Sequence, residues 1–455
     1  MASGPEQSHG ARAVPWGRAV LAAVAAVGWA FAAMAAVAAL GLHLLGADTR
    51  GALGPMTAAV VIMAVGGQVS PSGDVTVFGI GGAQAVGAVD IMPLGVALAG
   101  ALPLGWVFAR STRRAGVVAG GAEFAVRTVA VIVVFLAVLA GLTWAGHETI
   151  TISGASPGSA APGLGDLGDL GDLGGLGGRL ADSLGRLAHE RASVGFRVDA
   201  GASVGAGLLW VLAVLALALL VNRRAPLPAA WHVVHRAVRP AASALCTALL
   251  LAVAAGFVVA LCHAVADDHP GRVVGAALVG TPNAVWLAAT LGLFVPWHGR
   301  AYGPLAYVLP HPLDQLLKGG ADHPVTVAGL AGYDGWVWLL PVAAVVTMLL
   351  AGVVLAARTP PGASTAACAL RLAVAAALAF ALLTALTTLS VNADLSLFGF
   401  DALGSGIDLA GSVPLAFLLG AGWGLVCGAV GAALATATGA RGTRVAGPAG
   451  LSGRP

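Results

Sequence analysis

Val273-Val-Gly-Ala-Ala-Leu-Val-Gly280-Thr281-Pro282-Asn283-Ala-Val-Trp286-Leu-Ala-Ala-Thr-Leu-Gly292-Leu-Phe-Val-Pro296 is apolar almost throughout, with a proline and an amide side chain at its middle. A second run, 53–69, opens on Gly54-Pro55 and closes by Gln68. Whether these two runs cross a bilayer decides the architecture. A hydrocarbon core of about 30 Å asks for roughly 20 apolar residues per helix. Candidate runs fall near 19–42, 53–69, 91–109, 128–146, 203–221, 241–265, 273–296, 336–357, 372–391 and 413–437. Basic residues gather near the cytoplasmic ends of spans. If every run crosses, starting inside, the 23 basic residues split 12 inside and 11 outside, which is no bias. If 53–69 and 273–296 instead enter and leave on one face, the split becomes decisive. The inner side then holds Arg12, Arg18, Arg110, Arg113, Arg114, Arg127, Arg223, Arg224, Arg236, Arg239, Arg358, Arg371, Arg441, Arg444 and Arg454, opposed there only by Glu6 and Glu123. Eight full crossings with both termini cytoplasmic follow.

Composition agrees with a membrane. Only 9% of the 455 residues are charged, where a soluble domain carries roughly 25%, and the mean hydropathy is +0.91. A net charge of +3 leaves no basic stripe to neutralise a phosphate backbone, which excludes a nucleic-acid binder. The chain reads as an all-α polytopic membrane protein, with about eight transmembrane helices plus two Pro-led re-entrant or same-face segments. Its first partner is the lipid bilayer; a homo-oligomer or an envelope partner stays open. The first run is longer than the roughly 7–15 apolar residues of a secretory signal, so an uncleaved first span is expected. Cys246, Cys262, Cys368 and Cys427 lie in or beside apolar runs without a C-x-x-C pair, so neither a disulfide framework nor a metal site is expected.

The same-face runs occupy matching places, each after the first span of a half. Pro93 stands 17 residues before Arg110, as Pro341 stands 17 before Arg358. Arg18-Ala19-Val20 and Arg236-Ala237-Val238 open the first spans, and His43 with Asp48 answers His263 with Asp267. These spacings predict two same-orientation repeats, as found in proteins whose halves are related by an axis along the membrane normal. The expected organisation is a cytoplasmic tail 1–18, a first repeat 19–221 with an outer loop 147–200, an Arg-rich connector 222–240, a second repeat 241–437 with an outer loop 297–335, and a tail 438–455.

Every Asp, Glu, Arg and Lys falls in a loop or at a span end, which argues against a carboxylate relay. The polar groups at membrane depth are Gln68, Asn283 and scattered threonines. Irregular backbone survives at that depth only when buried in protein or lining a wet cavity, so Pro55, Gln68, Pro282 and Asn283 are the candidate pathway. Helix kinking for close packing explains the same prolines and glycines. No G-x-S-x-G, P-loop or paired carboxylates at membrane depth point to an enzyme, and no cofactor is expected. Two readings follow: a small-solute permease or channel-like protein, which the Pro-led runs favour, and a non-transporting envelope scaffold that binds a partner or lipid.

The polar stretch after Gly146 contains Gly163-Leu-Gly-Asp166-Leu-Gly168, which imitates a dinucleotide fingerprint without the strand such a site needs. Asp166, Asp169 and Asp172 lack an EF-hand arrangement. Leu176, Leu180, Leu184 and Leu187 predict a short amphipathic surface helix. His263, His269, His298, His311 and His323 share the outer side with Asp267, Asp268, Asp314 and Asp322 but show no ligand spacing.

At Gly280-Thr281-Pro282-Asn283-Ala284-Val285-Trp286, Gly292-Leu293-Phe294-Val295-Pro296-Trp297 and Leu309-Pro310-His311-Pro312-Leu313-Asp314 the chain resembles the streptophobe family, very hydrophobic membrane proteins of Streptomyces and close relatives. Asn222-Arg223-Arg224-Ala225-Pro226-Leu227-Pro228 and Arg239-Pro240-Ala241-Ala242-Ser243-Ala244 look similar too. The resemblance implies a bacterial cytoplasmic membrane and brings no assigned activity.

Overall fold

The structure is a computed structural model that describes residues 16–49, 52–77, 80–114, 121–145, 149–151, 193–222, 231–302, 317, 323–360, 362–397 and 400–443. The apolar runs form α1 (Trp16–Leu44), α2 (Leu53–Ala64), α3 (Leu94–Arg114), α4 (Gly121–Ala145), α5 (Ala200–Val221), α6 (Trp231–Val265), α7 (Pro270–Gly292), α8 (Leu339–Arg358), α9 (Thr365–Leu386) and α10 (Val413–Ala437). Among the described residues, nine of these are long and apolar enough to cross a membrane. The chain is a multi-pass α-helical membrane protein. The exception is α2, whose 12 residues rise only about 18 Å. The predicted amphipathic helix at Leu176–Leu187, Asp166, Asp169, Asp172, His311 and Asp314 lie outside the described residues.

Local chemistry sets the helix ends. Asp199 accepts the Ala202 N–H at the start of α5, and Ser364 accepts the Ala367 N–H at the start of α9. Inside the apolar runs, Thr128, Thr247, Thr384 and Thr436 return their hydroxyls to carbonyls four residues back, so no partner outside the helix is needed.

Lipid offers no hydrophobic drive to bring helices together, so small residues and packing must do it. Gly420, Gly424 and Gly428 of α10 face Ala376, Ala373 and Ala369 of α9. A Cβ on Gly424 would lie 2.7 Å from the Ala373 Cα, and one on Gly428 would lie 2.8 Å from the Ala369 Cα. From the same helix, Gly431 meets Gly352 of α8 backbone to backbone. The earlier helices pack differently. Phe135 of α4 sits between Phe31 of α1 and Trp210 of α5, with ring centroids 5.1 and 5.4 Å away. One apolar core draws on residues between Ala23 and Leu215 and a second on residues between Ala241 and Ala435; Trp286 packs against both.

The strands were not expected. β1 (Val69–Val77), β2 (Ile80–Asp90), β3 (Thr149–Thr151), β4 (Ser193–Val198), β5 (Trp297–Tyr302), β6 (His323–Val325), β7 (Leu389–Leu397) and β8 (Phe400–Gly411) form one antiparallel sheet in the order β3-β4-β1-β2-β7-β8-β5-β6. The first residue of β1, Val69, pairs with the last of β4, Val198, immediately before the α5 cap Asp199. Likewise the first residue of β5, Trp297, pairs with the last of β8, Gly411, immediately before the α10 cap Ser412. Trp297, Gly299 and Ala301 face inward against Leu317, Leu330 and Leu409, whereas His298 and Arg300 are exposed.

All connections to the sheet leave from one end of the helices. α2, α4, α7 and α9 lead into strands, and strands lead into α3, α5 and α10. Gly41 near the end of α1 touches Gly275 near the start of α7, while Arg358 at the far end of α8 donates to Thr247 of α6, which turns the ends of α1 and α6 toward the sheet. Gly275 near the start of α7 thus packs on the end of α1, and Gly292 at its end packs on the start of α8. Arg18, Arg110, Arg127, Arg239, Arg358, Arg371 and Arg441 stand at the opposite helix ends. There Arg127 pairs with Glu123 at 2.7 Å and donates to the Ser111 carbonyl at 3.2 Å, tying α4 to α3.

Candidate functional site

The candidate pathway residues separate into two places. Pro55 is half-buried in the first turn of α2, where a missing N–H costs nothing. Gln68 is exposed and leads into β1. Pro282 and Asn283 lie in the middle of α7, Pro282 buried and Asn283 half-buried. Among the described residues no hydrogen bond joins the two places.

Within α7, Pro282 has no N–H to give the Leu278 carbonyl four residues back. Gly95, in the first turn of α3, fills that space. A Cβ on Gly95 would overlap the Leu278 carbonyl oxygen and lie 2.8 Å from the Val279 carbonyl carbon. Only a glycine lets the two backbones approach so closely. One residue farther along α7, the Asn283 amide completes the junction. Its Oδ1 accepts the Leu94 N–H at 2.9 Å, and its Nδ2 donates to the Met92 carbonyl at 2.8 Å. Those two groups flank Pro93, where α3 begins. The Leu94 N–H is one of the donors that a helix start leaves without an internal partner.

The same helix touches its other neighbours at their sheet-side ends. Gly275 packs on Leu44 of α1 and on Leu45 just beyond it, and Gly292 packs on Leu340 and Ala344 of α8. α7 thus runs from the end of α1, past the start of α3, to the start of α8. Trp286 lies between the two cores, and its buried Nε1 has no partner among the described residues. Among the described residues the junction is built from an amide, a glycine and backbone groups, so its chemistry is structural hydrogen bonding.

On the exposed face of the sheet, pairing aligns Asp90 with Ser390, Ser390 with Asp408, and Asp408 with Arg300. Arg300 donates to Asp408 at 2.7 Å, and the Ser390 hydroxyl donates to the same carboxylate at 2.6 Å. On the neighbouring rung, Tyr302 donates to Asn392 at 3.3 Å. A side chain on Gly406 would intrude between these two groups, with its Cβ 2.6 Å from each polar atom. Sequence reading missed this network, although Leu389-Ser-Val-Asn-Ala-Asp-Leu-Ser-Leu397 alternates apolar and polar residues without a break. It also passed over Gly420-x-x-x-Gly424-x-x-x-Gly428, a small-residue spacing that predicts close helix contact. His43 pairs with Asp48 at 2.7 Å near the end of α1.

Compared with protein-family models, curated proteins and solved structures, the chain matches none.

Proposed function

We propose that this chain is a non-transporting scaffold of a bacterial cytoplasmic membrane, whose two membrane halves jointly hold an outer β-sheet. The observation that carries the reading is the use made of Asn283. A permease needs polar groups at membrane depth that are free to meet solute. Here the amide is spent on the backbone of α3, beside Gly95 packed against the Leu278 and Val279 carbonyls. Buried polar groups so paired rigidify a junction.

Two further inferences belong to the same reading. The first is eight crossings, with α2 and α7 leaving and returning on the sheet side; the packing of Gly275 on the end of α1 and of Gly292 on the start of α8 supports it. The arginines at the opposite helix ends make that opposite side cytoplasmic and the sheet external. The second is a pair of same-orientation repeats. The first half contributes β3-β4-β1-β2 and the second β7-β8-β5-β6, which is the order third, fourth, first, second in each case. The matched registers at Val69–Val198 and Trp297–Gly411 support the same reading. Membership of the streptophobe family is proposed on the residues quoted above.

The test is solute flux. Purified protein in liposomes is challenged osmotically with glycerol, urea and small sugars in stopped-flow light scattering. Swelling at the protein-free rate is expected. Protein-dependent flux that disappears in Asn283→Ala would establish the permease reading in its place.

A further inference from the structure

Between the single helical turn Val327–Ala331 and α8 runs Tyr333-Asp334-Gly335-Trp336-Val337-Trp338. Asp334 starts a short 3-10 turn, its Oδ1 accepting the Trp336 N–H at 3.0 Å. Val337 packs against the core under β5, and this turns its neighbours outward: Trp336 is 76% exposed and Trp338 is 52% exposed. Asp334, Gly335, Trp336, Trp338, Leu339 and Val342, all exposed, line an open surface depression of about 520 Å³.

The chemistry of the depression is two indole rings and a carboxylate. Among the described residues no basic group pairs with Asp334. Nor does one stack on either tryptophan, whereas Arg110 sits 5.5 Å from the ring of Trp106. A cation is what this combination attracts. From the depression Leu339, Val342, Val346 and Leu350 continue down α8 at helical spacing, all exposed and all apolar. An ammonium at the outer end of a head, above a hydrocarbon stripe, describes a zwitterionic lipid. Tryptophans at a membrane boundary are ordinary; the carboxylate and the depression beside them are what add selectivity.

We propose that this depression binds the ammonium headgroup of a zwitterionic phospholipid, with an acyl chain laid along Leu339, Val342, Val346 and Leu350. An anionic headgroup is disfavoured there by Asp334. This site goes beyond the scaffold reading and does not depend on it.

The full-length protein in detergent is titrated with phosphatidylethanolamine, phosphatidylcholine or phosphatidylglycerol of identical acyl chains, and retained lipid is counted by native mass spectrometry. The two ammonium lipids should be retained about two- to fivefold more than phosphatidylglycerol. Asp334→Asn keeps the Oδ1 that accepts the Trp336 N–H, so it preserves the turn while removing the charge. It should abolish the preference without lowering the melting temperature, and Trp336→Ala should reduce retention. Equal retention of all three lipids, or a preference that survives both variants, would overturn the proposal. Displacement of the lipid by millimolar soluble phosphoethanolamine would also overturn it, by assigning the depression to a free amine.

Discussion

Asn283 caps a helix that starts far earlier in the chain: its Oδ1 accepts the N–H of Leu94, 189 residues away, at 2.9 Å. The same side chain donates to Met92, so one amide fixes the entry of α3 against the middle of α7. Nothing in the local sequence of α3 supplies this cap. The residue before Leu94 is a proline, whose side chain offers no acceptor.

Asn283→Ala strips partners from one backbone donor and one acceptor at a part-buried junction. Each orphaned group costs about 1–3 kcal/mol. The melting temperature in detergent, read by the loss of the monodisperse chromatographic peak on heating, should fall by several degrees. Asn283→Asp should fall at least as far, because its carboxylate still accepts from Leu94 but sets an oxygen against the Met92 carbonyl and brings a charge into a part-buried site. An Ala variant as stable as the parent would remove the junction from the account of how the halves are held.

Gly424→Leu should prevent α9 and α10 from closing, since even a Cβ there lies 2.7 Å from Ala373 Cα and 2.8 Å from the Leu372 carbonyl oxygen. Gly422→Leu, on the same helix but with nothing within 4 Å of its Cβ site, should be tolerated. Yield of folded protein from membranes separates the two variants; equal yields would contradict the contact.

In the sheet, a buried aromatic should matter far more than an exposed ion pair. Trp297 is 0% exposed and donates to Thr290 at 3.2 Å, so Trp297→Ala should cost about 3–5 kcal/mol. Arg300 pairs with Asp408 but is 54% exposed, so Arg300→Ala should cost no more than about 1 kcal/mol. Thermal unfolding of both variants reads the order, and a reversed order would refute the packing of β5.

Single cysteines at His269 and Phe294, at the two ends of α7, should react with an impermeant maleimide from the same side of sealed spheroplasts, in a background with the native cysteines replaced. A cysteine at Arg371 should react only after the cells are broken. Labelling of His269→Cys and Phe294→Cys from opposite sides would make α7 a ninth crossing.

Much of the helical layer was legible because bilayer thickness imposes a length on every span. The runs at 203–221 and 413–437 coincide with α5 and α10 to within a few residues. Strand signals were harder to read. Leu389 to Val391 looked like the tail of an apolar run, and only the alternation beyond it marks β7. β2 is rich in Gly, Ala and Val, letters that this chain also uses in its helices, and β1 carries Ser70-Pro71-Ser72-Gly73-Asp74, which reads as a turn. At the candidate site, Pro282 and Asn283 could be singled out as unusual at their depth, but their partners Met92, Leu94 and Gly95 belong to another helix and carry no mark of the pairing.

The sequence by itself determined where the chain meets lipid, which helix ends collect arginine, and where helices must stop, because hydrophobic length and charge placement act residue by residue. Tertiary structure decided what joins the two sets of helices. An amide and a glycine acquire a role only when a distant backbone brings them an unpaired N–H and an unpaired carbonyl, and eight strands become one sheet only when seven separate neighbours align their edges.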